Sequence, residues 1–246
     1  MLRDILIDTA ARLGIDDQLR SIRAALYPSH RRNRIDGQNM RLLLESVLTE
    51  DSNCVDIGAY RGRVLAEIVR LAPHGKHIAY EPLPHIQRYL VNRFPSVEVR
   101  QAAVSNEEGE KRFTYVKNET GRSGFREISY PKQPQIEKLT VRTITLDSNL
   151  PDGYVPTLIK IDVEGAERLV IEGAIETISK YKPIVVFEHG KGSTDHYDTQ
   201  PRHLYELLHD DAGLRIFDLD GNGPYTLGQL EEAYARCDRW NYVARP

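Results

Sequence analysis

Short runs rich in β-branched residues recur along this chain, and helical patterns lie between them. The runs are Val55-Asp56-Ile57, His77-Ile78-Ala79-Tyr80, Val97 to Val99, Leu158-Ile159-Lys160-Ile161 and Ile184-Val185-Val186-Phe187. Between several of them, apolar residues fall at helical spacing, as in Val64, Leu65, Ile68 and Val69, or Leu169, Val170, Ala174 and Ile178. Strands that are apolar on both faces need cover on both faces, and parallel neighbours need a crossover that a helix supplies. The alternation therefore predicts an α/β fold: a three-layer sandwich around a mostly parallel sheet. A length of 246 residues with 40% apolar content suffices for one substantial core.

The flanks of this pattern differ. From Leu2 to Leu26 the residues Ile5, Leu6, Leu13, Leu19, Ile22 and Leu26 keep roughly helical spacing, and Gly14, Asp16 and Asp17 suggest a break between two helices. Residues 1–36 are expected to form a helical prefix, equally suited to pack on a second subunit as a homo-oligomer contact or on its own core. Pro28 to Gly37 is polar and basic and reads as a loop. Its Arg31, Arg32 and Arg34 are either a solvated cluster or forks for an anionic group. Met40, Leu43, Leu44, Val47 and Leu48 then give one helical face leading into a catalytic domain over residues 37–246. Within it, about residues 110–146 form a β-rich insertion, with Phe113 and Tyr115 alternating, and likewise Leu139 and Val141, around a stretch holding Gly121, Gly124, Pro131 and Pro134. Gly121-Arg122-Ser123-Gly124-Phe125 is either a substrate loop or an exposed hairpin tip.

Charge narrows the partners. With 33 basic and 36 acidic residues the net charge is −3, which gives no global reason to bind nucleic acid or an anionic membrane. The two cysteines, Cys54 and Cys237, lack the spacing of a zinc site or disulfide framework, which fits a reducing cytoplasm. No apolar run approaches the length of a membrane span, and no export signal is read at the start.

Three motifs carry chemistry. Cys54-Val55-Asp56-Ile57-Gly58-Ala59-Tyr60-Arg61-Gly62 reads as a buried strand, a glycine turn and a helix start. Gly58 and Gly62 let the backbone turn tightly and let a ligand approach, and the N–H groups of the following helix favour a carboxylate. The spacing is Gly-x-x-x-Gly, not the G-x-G-x-x-G of a dinucleotide site. Tyr80-Glu81-Pro82 ends the next strand, where an acid can reach both hydroxyls of a ribose. Lys160-Ile161-Asp162-Val163-Glu164-Gly165-Ala166-Glu167 joins the fourth strand to a helix.

In this order, the three motifs resemble the FkbM family of S-adenosylmethionine-dependent methyltransferases, from about Asp36 to Pro246. The resemblance implies a class I methyltransferase (Rossmann-like) sheet of seven strands with the last antiparallel, for which Leu214 to Phe217 and Trp240 to Ala244 are the closing pair. It implies S-adenosyl-L-methionine as cofactor, with Asp56, Gly58 and Gly62 at the methionine end, flanked by Ala59 and Tyr60. Glu81, beside Pro82, would take the ribose; Ala102 and Ala103, after Gln101, would lie at the adenine. The family often has Asn where this chain has Tyr60.

Methyl transfer needs a nucleophile brought to the methyl carbon and its proton removed. Ligands in open α/β sheets bind beyond the carboxyl ends of strands, which selects Asp162, Glu164, Glu188 and His189. Asp162 would hold the cofactor's amino group or a divalent metal. His189 is a candidate general base or a structural histidine. Asp162, Glu188 and His189 together could hold Mg2+, and Glu164 and Glu167 could cap the helix that follows. The activity expected is O-methylation of a hydroxyl on a sugar-containing or other small-molecule or glycan acceptor. A nicotinamide-dependent oxidoreductase and a non-catalytic scaffold are the alternatives.

Overall fold

The computed structural model describes residues 28–131, 133–237 and 239–246. The expected helices of Leu2 to Leu26, and the oligomer contact assigned to them, lie outside the described residues. A compact unit runs from Val47 to Pro246. The described part of the unit before it is helix α1 (Pro28–Val47) up to Ser46. Pro28 to Gly37 is thus helical where a loop was expected. Proline is tolerated in the first helical turn, arginine is a good helix former, and Arg32 pairs with Asp36 one turn on. These local preferences outweigh the polarity that suggested a loop.

Among the described residues the central sheet has seven strands: β1 (Cys54–Ile57), β2 (Ile78–Tyr80), β3 (Glu98–Arg100), β7 (Leu158–Ile161), β8 (Ile184–Glu188), β9 (Arg215–Asp218) and β10 (Asn241–Arg245). Their order is β3-β2-β1-β7-β8-β10-β9. Every pairing from β3 to β8 is parallel, and β10 is antiparallel to both neighbours. The expected sheet and its closing pair are therefore present. Every residue of β1 and β7 is buried, Asp56 and Lys160 included, as expected of central parallel strands covered on both faces. Helices α2 (Arg63–Leu71) and α3 (Pro84–Arg93) are the first two crossovers. The apolar pattern from Leu169 to Ile178 divides into two helices, Glu167–Glu172 and Ile175–Tyr181. At the break, a Cβ on Gly173 would sit 2.0 Å from the Ser105 carbonyl oxygen, so the backbone itself is the packing surface there.

The insertion forms a second, three-stranded sheet of β4 (Ala103–Val104), β5 (Gly109–Val116) and β6 (Ile136–Ile144), in the order β4-β6-β5. Phe113 and Val141 on its inner face join Leu65, Leu90 and Phe94 in one apolar cluster, which fixes the insertion beside the first crossover helices. A bridge between Thr114 and Gly124 folds the connecting loop back onto β5. No helix among the described residues is long and apolar enough to cross a membrane.

Gly62 joins the turn after β1 to this cluster. Its φ is +69°, and a Cβ would lie 2.3 Å from the Phe94 ring. Gly62→Ala is expected to lower stability by about 2 to 4 kcal/mol, the sum of left-handed strain and overpacking. Urea unfolding of the two proteins measures the difference.

Candidate active site

The site grows from the register of two neighbouring strands. β1 pairs with β7 so that Asp56 lies beside Lys160, and partners in register project to the same face. Lys160 Nζ is 3.1 Å from Asp56 Oδ1 and 3.5 Å from Asp162 Oδ2, and it donates to the Gly58 carbonyl at 2.7 Å. Both Lys160 and Asp56 are buried. Burial pulls the Lys160 ammonium down, but Asp56 and Asp162 outweigh it and hold the group above its ordinary value, so it stays charged. Burial pushes the Asp56 carboxyl up, and Lys160 opposes that push.

Directly above this pair the chain turns through Gly58 at φ +73°. A Cβ there would meet the Asp162 carbonyl oxygen at 1.9 Å, so the ends of β1 and β7 touch through bare backbone. The N–H groups of Gly58 and Ala59 donate to the Tyr80 carbonyl at 3.0 and 3.3 Å. The N–H of Tyr60, at φ +47°, donates to Glu81 Oε2 at 3.1 Å. Glu81 Oε1 accepts the Leu83 N–H at 3.0 Å, so this buried carboxyl ties the first turn to the second. Burial pushes it up to about 7.

These turns floor a cavity of about 310 Å³. Gly58, Tyr60, Asp162, Glu81, Pro82 and Leu83 line it, together with Ala102, Ala103, Val104, Phe113 and Phe125, which supply an apolar surface. Thr120, Gly121, Ser123 and Gly124 of the insertion loop close over it, so the loop takes part in the cavity wall. Of the expected cofactor residues, Gly58, Tyr60, Glu81, Pro82, Ala102, Ala103 and Asp162 reach this cavity. Asp56 lies beneath it against Lys160, Ala59 packs in the apolar cluster with Leu65, and Gly62 rests on Phe94.

The three expected catalytic residues separate. Asp162 lines the cavity, and Glu188 shares a hydrogen bond with it. Burial first, then Asp162, Glu164 and Glu167, push the Glu188 carboxyl well above its ordinary value. His189 follows Glu188 at the strand end, and successive side chains of a strand point to opposite faces. It is fully buried, its ring stacks on Tyr234 with centroids 4.7 Å apart, and its backbone N–H donates to the Trp240 carbonyl at 2.7 Å. Neither ring nitrogen has a hydrogen-bond partner among the described residues, and burial lowers its pKa to about 4. The histidine is thus neutral and does not line the cavity. Asp162, Glu188 and His189 accordingly do not converge on a magnesium ion, and no group of three His, Cys, Asp or Glu side chains among the described residues is placed to hold a metal.

Some contributors were not assigned by sequence reasoning. Lys160 was part of a motif without a role, although its place beside Asp56 follows once the strands are aligned. Val104 and Phe113 of the apolar surface lie on strands whose pairing has no local signal. Glu167 opens the helix without capping it: its Oε1 accepts the N–H groups of Val163 at 3.0 Å and Gly165 at 3.2 Å in the turn before, and burial pushes it up to about 7. Glu164, at φ +56°, instead lines the cavity.

A family model described as the Methyltransferase FkbM domain matches residues 56–216. No curated protein matches the chain significantly in sequence. Among solved structures, a methyltransferase FkbM from Methylobacillus flagellatus KT is similar at 18% identity and a TM-score of 0.51, covering 80% of this chain and 44% of that one. This chain therefore spans less than half the length of that protein, and the likeness is one of fold. An O-methyltransferase from Bacillus cereus in complex with SAH (15% identity, TM-score 0.47) covers 85% of this chain and 79% of that one. A precorrin-6y C5,15-methyltransferase from Geobacter metallireducens GS-15 (16% identity, TM-score 0.43) covers 72% of each.

Lys160→Met is expected to cost about 3 to 5 kcal/mol by leaving Asp56 buried without its counter-charge. The double variant with Asp56→Leu should recover most of that loss, as a urea double-mutant cycle will show. His189 adds a pH dependence. The unfolded chain takes up its proton near the ordinary 6.5 and the folded chain only near 4. The stability held by the neutral ring is therefore complete above that range and lost as pH falls through it, by roughly 3 kcal/mol. The difference in unfolding free energy between the wild type and His189→Phe, followed from pH 7 to 4, measures this term apart from the carboxyls.

Proposed function

The chain belongs to the FkbM methyltransferase family, and from that premise we propose that it transfers a methyl group from S-adenosyl-L-methionine to a hydroxyl of a sugar-containing or other small-molecule acceptor. The cavity supports this reading most directly. It lies at the carboxyl ends of β1, β2 and β7, where an open parallel sheet binds its ligand.

The residues present fit the donor. The bare Gly58 backbone admits a close approach that a Cβ would block, and Gly58, Tyr60 and Asp162 would hold the amino-acid end. Each Glu81 oxygen accepts one backbone N–H, which leaves lone pairs for the ribose hydroxyls. The apolar surface from Ala102 to Val104, with Phe113 and Phe125, suits the flat adenine. When bound, the donor supplies a methyl group on a positively charged sulfur. Asp162, which lines the cavity and shares a hydrogen bond with Glu188, is placed to accept a hydrogen bond from the acceptor. A wall of acidic side chains suits a hydroxyl and repels an anionic group. No metal enters this reading, since the expected ligands do not converge.

The family match sets aside the nicotinamide alternative, and binding tests the scaffold alternative. S-adenosylhomocysteine should bind in a calorimeter and NAD should not. Glu81→Ala should weaken S-adenosylhomocysteine about 10- to 100-fold, or about 1.4 to 2.8 kcal/mol. Absence of S-adenosylhomocysteine binding to the wild type overturns the proposal. With isotopically labelled donor and an extract of the producing organism, mass spectrometry should show one added methyl on a hydroxyl-bearing metabolite; a methyl found on nitrogen overturns the choice of oxygen.

A further inference from the structure

We propose that Glu164 is the proton carrier of this site: its carboxyl ionises when the positively charged donor enters the cavity, and it takes up the acceptor hydroxyl's proton when that charge is lost. This rests on the methyl-transfer reading above.

Four acids surround the donor end of the cavity, and geometry separates them. Glu167 is committed to the N–H groups of Val163 and Gly165. Asp162 is held by Lys160 and Glu188, and Glu188 by Asp162. Glu164 alone of the four lines the cavity without accepting a hydrogen bond from another described residue. A left-handed backbone at φ +56° holds it there. Its neighbour Gly165, at φ +105°, packs so closely that a Cβ there would lie 2.6 Å from the Ser193 carbonyl oxygen and 2.9 Å from the Tyr197 ring. Above it, Gly124 of the insertion loop is so close that a Cβ there would be 3.7 Å from Glu164 Cβ.

The charged and titratable groups that face Glu164 are Asp162, Glu167 and Glu188 from the sheet side, Lys160 beneath, and Arg122 from the insertion loop. Burial first, then Asp162 and Glu167, push the carboxyl up to about 8, with Arg122 and Lys160 opposing. At neutral pH this half-buried acid holds its proton, and a positive charge arriving in the same cavity favours its ionised form. The exchange balances. The acceptor oxygen forms the new C–O bond as the C–S bond breaks, the C–S pair remains on sulfur as a neutral thioether, and the acceptor's proton ends on Glu164. Loss of the positive charge raises the proton affinity of the carboxyl at the step where a proton needs a home.

The donor and its product differ only by the methyl group and the charge, so their contrast isolates this residue without an acceptor. Calorimetric titration at about pH 7 in buffers of different ionisation enthalpy should find S-adenosylmethionine releasing roughly 0.9 proton, as expected for a carboxyl at about 8. S-adenosylhomocysteine should release almost none. Wild-type affinity for S-adenosylmethionine should rise about tenfold per pH unit between pH 6 and 7, while that for S-adenosylhomocysteine stays flat. Glu164→Gln should abolish the contrast while keeping its S-adenosylhomocysteine affinity, and Glu188→Gln should retain it. Equal proton release by the two ligands overturns the proposal, as does a contrast that survives in Glu164→Gln or disappears in Glu188→Gln. If Glu164→Gln fails to fold, equal proton release by the two ligands in the wild type still overturns the proposal, as does loss of the contrast in Glu188→Gln. Failure of either ligand to bind the wild type instead overturns the methyl-transfer reading itself.

Discussion

The rest of the site depends on one buried cation. Lys160 lies on β7 directly beside Asp56 of β1, and it holds Asp56, Asp162 and the Gly58 carbonyl at once. A charge buried this deeply is tolerated only when its partners are fixed, because desolvation of each ion is worth several kcal/mol. Here the parallel register fixes them: Asp56 and Lys160 are direct neighbours across the ladder. The ammonium therefore does more than neutralise Asp56. By donating to two strand ends and the turn above, it ties Gly58 to Asp162 at the floor of the cavity.

Around that cation, the backbone is strained at successive corners. Gly58, Tyr60 and Gly62 after β1, and Glu164 and Gly165 after β7, all have positive φ. Non-glycine residues in that region cost of order 1 to 3 kcal/mol each and persist where the surroundings over-determine them. The surroundings do so here: Tyr60 is held by its N–H to Glu81, and Glu164 stands between Asp162 and the tightly packed Gly165. Three of these positions, Gly58, Tyr60 and Glu164, line the cavity, and they present to whatever enters an open glycine backbone and a carboxyl that accepts no hydrogen bond from another described residue.

Period and motif made most of the fold legible. The order of strands follows from the alternation plus the family resemblance, since short fully apolar strands separated by helical patterns leave few other ways to bury both faces. Three features were less legible, each for a physical reason. Helix formation over Pro28 to Gly37 rests on backbone propensity and an i,i+4 pair, which the polar composition hid. The direction of His189 depends on strand parity, and a strand end can be read from sequence only to within a residue or two. Lys160 and Glu164 were visible in the motif, but their roles come from contacts across strands and with a loop some forty positions away, and one sequence does not encode those distances. The apolar surface shares this limit, because Ala103 and Phe113 meet only through the second sheet.

Tyr60 shows how a departure from a family pattern can leave a site intact. Asparagine tolerates the left-handed region better than tyrosine does, so the exchange carries a conformational cost at φ +47°. The contact that joins this position to Glu81 is made by the main chain, at 3.1 Å, and any residue except proline retains it. The side chain then finds a different use. A Cβ on Gly121 would lie 3.6 Å from the Tyr60 ring, so the ring lies against the insertion loop where that loop closes the cavity. An asparagine would be too short to make that contact. The tyrosine thus exchanges an easier turn for a footing under the insertion loop, and its effect belongs to the acceptor side of the cavity as much as to the donor side.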